Sequence, residues 1–98
     1  MIIVGNITFT PETATDIGKR FLELAPVPNH MKLIGPFLKS KPDGIHGLEI
    51  FEVEESKLSL AVDYVSNRYI SYYGIPGFNS SSEVYYSAQE ALKMVGLA

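Results

Sequence analysis

The side chains able to move a proton or grip a polar ligand fall into a few places along this 98-residue chain. Glu49 interrupts an apolar run from Ile45 to Val53, on the same side of an extended chain as Ile45, Phe51 and Val53. A carboxylate on such a face can serve as a general acid or base; the bland reading is a rim residue paired with a lysine. His46 opens the same run and shares its other side with Leu48 and Ile50. Further on, RYISYYGIPGF (Arg68 to Phe78) sets Tyr69, Tyr72 and Tyr73 directly before a glycine-bracketed Ile-Pro. Phenols present an apolar body and a polar tip, so they suit both a core and a pocket mouth. The candidate ligand contacts are therefore Tyr69, Tyr73, Tyr85, His46 and Glu49.

Other polar residues carry less. Arg68 lies four residues beyond Tyr64, and packing on that ring explains it as well as anion binding does. Asn6 needs a hydrogen-bond partner if buried, and a cross-strand contact supplies one. His30 and His46 have no Asp, Glu or His beside them at ligand spacing, so no metal site is assigned. The chain has no cysteine, which excludes disulfides and thiolate chemistry. Ser80 to Ser82 have no histidine nearby and read as loop composition. No phosphate-loop, dinucleotide, zinc-protease or nucleophile-elbow pattern is present, so neither a cofactor nor a catalytic residue is assigned.

These groups need elements to hold them. Met1 to Phe9 reads as a strand, and Thr10-Pro11 as the N-cap and first position of a helix. That helix is amphipathic through Ala14, Ile17, Gly18, Phe21, Leu22 and Leu24, and Pro26 and Pro28 stop it. Gly18 on the buried side implies a close approach of backbone to sheet. Met31 to Leu38 is a second strand, whose Gly35-Pro36 demands an edge position or a bulge. Lys39 to Gly44 is a turn, and Ile45 to Val53 a third strand. Ser56 is placed to cap a second helix with apolar positions Leu58, Ala61, Val62, Val65, Tyr69, Tyr72 and Tyr73. Gly74 then suits a left-handed C′ position, and Pro76 prevents resumption. GFNSSS reads as a loop, Glu83 to Ser87 as a fourth strand, and the C-terminal residues as a short helix ending at Gly96.

The expected architecture is one α+β domain over residues 1–98, a ferredoxin-like βαββαβ sandwich with a short C-terminal helix. The composition, 46% hydrophobic and 19% charged, fits a globular chain. A net charge of -3 without a Lys/Arg run argues against nucleic acid. No segment approaches the ~18 apolar residues of a membrane span. The expectation is a soluble, cytoplasmic protein.

Strand alternation adds a partner. The first strand carries Ile3, Ile7 and Phe9 on one face, and Ile2 and Val4 on the other. A half-solvated antiparallel sheet should alternate cleanly between apolar and polar. With both helices on one face, the second face leaves roughly 400 Å² open, about the size at which an apolar patch calls for a cover. A second copy of the same surface is the expected cover, giving a sheet-to-sheet homodimer.

The run NRYISYYGIPGF, the FLEL ending of the first helix, GIHGLEIFEVEESKL and EALKMVGL resemble a family of small uncharacterised prokaryotic proteins. That family is a domain of unknown function in the dimeric α/β-barrel, ferredoxin-like superfamily. The resemblance implies the fold and the dimer and brings no activity with it. Three functions follow as expectations: a small-molecule binding or sensing module, first; a cofactor-independent enzyme of the monooxygenase or isomerase kind, with His46 or Glu49 moving a proton; or a structural assembly unit without a pocket.

Overall fold

The computed structural model describes residues 1–97. Strand β1 (Ile2–Phe9) leads through a 3-10 turn at Pro11–Thr13 into helix α1 (Ala14–Leu22). Strands β2 (Met31–Lys41) and β3 (Gly44–Val53) form a hairpin. A second 3-10 turn at Glu55–Lys57 opens helix α2 (Leu58–Ile70), and strand β4 (Asn79–Tyr85) and helix α3 (Ala88–Met94) follow. The four strands make one antiparallel sheet in the order β2-β3-β1-β4. The described residues thus form an α+β structure, with one sheet and three α-helices among them.

The core lies on one side of the sheet. Ile3, Ile7 and Phe9 of β1 and Phe51 and Val53 of β3 are buried together with Ile17 of α1, Ala61, Val65 and Tyr69 of α2, and Tyr72 in the turn after α2. Phe51 and Ala61 are fully buried. Because successive strand residues point to opposite faces, the alternate set faces away from the helices. Ile2, Val4, Ile34 and Ile50 are half-buried there, and Leu48 and Phe37 are exposed.

Several local expectations change. Thr10 does not cap α1 with its side chain; its hydroxyl meets that of Thr13, and the tight turn is closed by Thr13 N donating to Thr10 O. Ser56 does not cap α2 either, since the 3-10 turn, with Lys57 N donating to Glu54 O, does that work. Strand β2 runs three residues further than expected, so only Pro42 and Asp43 separate Lys41 from its partner Gly44. The Gly35-Pro36 step sits at a register shift between Ile34 and Phe37, on an edge strand, where a missing N–H donor is tolerated. Strand β4 starts at Asn79, so the serine run expected as loop is strand. Ladder pairing with β1 uses only backbone groups, and exposed serines cost an edge nothing.

Helix α2 stops at Ile70 with Ser71 as a right-handed C-cap, so Gly74 is not the expected C′ residue but serves the turn beyond the helix. Gly74 has φ of 93°, Ile75 N donates to Tyr72 O, and Ile75 is buried. Tyr72 stacks on Phe78, with ring centroids 4.9 Å apart. Arg20 of α1 donates to the carbonyls of Ser71 (2.8 Å) and Tyr73 (3.2 Å), so a cation holds the end of α2 against α1.

Candidate functional site

Two charges lie inside the core, one on each layer. Glu49 projects from the helix-facing side of β3, and Arg68 occupies the buried stripe of α2, one turn after Val65. Isolated, each would be prohibitively costly to desolvate. They meet instead: Arg68 Nη2 donates to Glu49 Oε2 at 2.6 Å, and Nε donates to Oε1 and Oε2 at 3.1 and 3.2 Å. Both side chains are at most 4% exposed. The guanidinium is also flanked by aromatic faces, 5.8 Å from the Phe21 centroid and 5.7 Å from that of Phe51. Nη1 reaches the Tyr64 hydroxyl at 3.4 Å, and that hydroxyl donates to Ala25 O at 2.8 Å. Burial works against the Arg68 cation, yet the hydrogen bond and charge of Glu49 win and raise its pKa.

Next to this pair is a cavity of about 270 Å³ between the sheet and α1. Ile7, Phe9 and Ile45 form its sheet wall, Ile17 and Phe21 its helix wall, and Tyr72 one end. Glu49 is the one ionisable carboxylate on this lining, which is otherwise apolar but for the Tyr72 phenol. Gly18 lines the cavity too, and a Cβ built there would meet nothing within 4 Å. The expected close approach of backbone at Gly18 is therefore absent; the missing side chain leaves open volume. The close approach occurs at Gly5, where a Cβ would collide with the Tyr69 hydroxyl.

Gly5 pairs directly with Glu49 in the ladder, so the Tyr69 hydroxyl over Gly5 also lies beside that carboxylate. Burial, reinforced by the Glu49 charge, pushes the Tyr69 phenol far above its ordinary value. Its hydroxyl makes no hydrogen bond of good geometry. Burial likewise pushes Tyr72 up to about 12. Both phenols are held as neutral groups.

Of the five residues singled out in the sequence, the structure brings Glu49 and Tyr69 together. The other three lie elsewhere. His46 is on the opposite sheet face, with Nε2 at 2.9 Å from Asp43 Oδ1. Strand parity dictates this, since adjacent residues cannot both face the helices. Tyr85 is exposed on edge strand β4 and donates to Glu83 Oε2 at 2.8 Å. Tyr73 follows the last turn of α2 and is 65% exposed; only its backbone carbonyl takes part in holding the helices together.

Arg68, Tyr72, Phe21 and Gly18 complete the site and were not among the candidates. A signal for Arg68 exists: a lone cation within an apolar helical stripe and a lone acid on an apolar strand face each need a partner, and each is the other's. No protein-family model matches the chain, and no curated protein shows significant similarity to it.

Proposed function

We propose that this chain is a ferredoxin-like domain that pairs with a second copy across its bare sheet face and holds a small organic molecule beside Glu49. The strand order and the helices stacked on one face support the ferredoxin-like reading. The half-buried Ile2, Val4, Ile34 and Ile50 support a covered second face. The observation that carries the ligand reading is the cavity itself, apolar but for the Glu49 carboxylate and the Tyr72 phenol. At about 270 Å³ it falls just below the ~300 Å³ where ligand pockets commonly begin. Its occupant is therefore a molecule of one ring or a short chain, with an O–H or N–H to donate to Glu49. A nucleotide or haem is too large.

Binding is favoured over catalysis by the state of Glu49. Both of its oxygens already accept from Arg68. The lone pairs that remain can take a ligand's hydrogen bond, but a group clamped in this way is poorly placed to swing toward a substrate proton. Native mass spectrometry of protein from its own host reports subunit count and any retained small molecule together. A panel of monocyclic phenols, alcohols and amines, screened by calorimetry, then defines the donor. Gly18→Leu, which fills the cavity, should abolish the binding seen with the unaltered protein. Absence of any retained mass and of binding across the panel would overturn the ligand reading. Turnover that disappears in Glu49→Gln, with binding kept, would establish the enzyme reading instead.

A further inference from the structure

Helix α3 is capped at both ends and tied to the sheet by one ion pair, between Glu90 Oε1 and the Met1 ammonium at 2.8 Å. Ser87 and Glu90 form a reciprocal capping box, with Glu90 N donating to Ser87 Oγ at 3.1 Å and Ser87 N to Glu90 Oε1 at 2.8 Å. At the other end Gly96, at φ of 76°, lets Leu97 N donate to Leu92 O and Gly96 N to Lys93 O. That pattern brings Leu97 back over Leu92. Yet α3 has no buried residue, and Leu92, Met94, Val95 and Leu97 are all exposed. Seven residues are too few for a helix to persist in water by propensity alone.

Within the protomer this helix and the other exposed apolar region lie apart. The second exposed apolar corner is Phe37 and Leu48, paired in the β2–β3 ladder on the bare face. Strand order places that corner at the β2 edge and α3 beyond the β4 edge. The two also lie toward opposite ends of β1: Leu48 pairs with Asn6, whereas Tyr85 pairs with Ile2.

The area points to a second copy. A compact monomer of 10.8 kDa exposes about 5,500 Å², whereas this chain exposes 6370 Å². The excess, roughly 800 Å², is surface that the single chain leaves uncovered, on the scale of what one partner contributes to a standard interface. The radius of gyration, 15.1 Å, likewise exceeds the ~13 Å of a compact chain this long.

We infer that α3 of each protomer lies on the Phe37–Leu48 corner of the other's bare face. Diagonally opposite corners of one sheet are superposed reciprocally by a single two-fold axis running across that face, so each copy gives one helix and receives one. This rests on the homodimer reading above and adds the arm to it.

The absence of cysteine makes the test clean. Phe37→Cys and Leu92→Cys are prepared separately, mixed and mildly oxidised, with Ile50→Cys as a reporter for the centre of the bare face. The mixture should form a disulfide-linked heterodimer far faster than either variant alone. A paired Leu92→Glu/Val95→Glu variant should weaken self-association about 100-fold with its circular dichroism largely preserved. A dimer in which Ile50→Cys cross-links, Phe37→Cys and Leu92→Cys do not, and the Glu variant associates normally overturns the arm and spares the dimer. A well-folded monomer at tens of micromolar overturns both.

Discussion

The Tyr69 hydroxyl occupies the space that a side chain at residue 5 would fill. Strand β1 carries a glycine there, and the tip of the phenol fills the gap beside Glu49. Gly5→Ala should therefore force Tyr69 out of its place and cost about 2–3 kcal/mol, as overpacking does in a filled core. Pairing it with Tyr69→Phe, which removes the colliding oxygen, should recover part of that loss. Urea unfolding of the two variants and their combination measures the coupling.

Gly18 is the opposite case. It lies inside α1 facing open volume, so Gly18→Ala adds helix propensity without a collision. The expected gain is about 0.5–1 kcal/mol, read as a higher unfolding midpoint. Equal or lower stability would mean that the cavity is not open at this point.

The Glu49–Arg68 pair predicts strong non-additivity. Glu49→Leu strands a buried guanidinium and Arg68→Met strands a buried carboxylate, and each should cost about 3–5 kcal/mol. The double variant replaces the pair with apolar groups of similar volume and should regain most of the loss. Ligand binding should fail in every variant that lacks Glu49, including the stable double variant. That separates the residue's part in holding the fold from its part in holding a ligand.

Alkaline pH should loosen the fold through Tyr72. Its ordinary value is 10.0, and burial raises it to about 12 in the folded chain. Above pH 10 the unfolded chain loses this proton while the folded chain keeps it, so stability is full below 10 and falls as pH rises toward 12. Tyr72→Phe should lessen the decline between those two values in unfolding midpoints measured across the range, the remainder coming from Tyr69, which burial raises as well.

Much of the scaffold was legible because periodicity reports burial directly. The alternation of β1 and β3 and the stripe of α2 identify the faces that meet, whereas Gly74-Ile75-Pro76 overshoots the helix end, which falls at Ile70. β4 was half legible. Its Asn-Ser-Ser-Ser start has loop composition, and its pairing depends on β1 offering a free edge rather than on its own side chains.

What the sequence by itself determined is which residues face inward, because strand and helix periods set side-chain direction locally. Even the separation of His46 from Glu49 was written in that parity. The tertiary structure alone decided which inward residues meet. Glu49 and Arg68 are 19 positions apart, and their contact depends on how α2 crosses the sheet. Whether a glycine marks a tight contact, as at Gly5, or an exposed rim with open space beside it, as at Gly18, likewise depends on what the opposing layer brings to it. Local pattern has no access to that, because it arises from packing between layers.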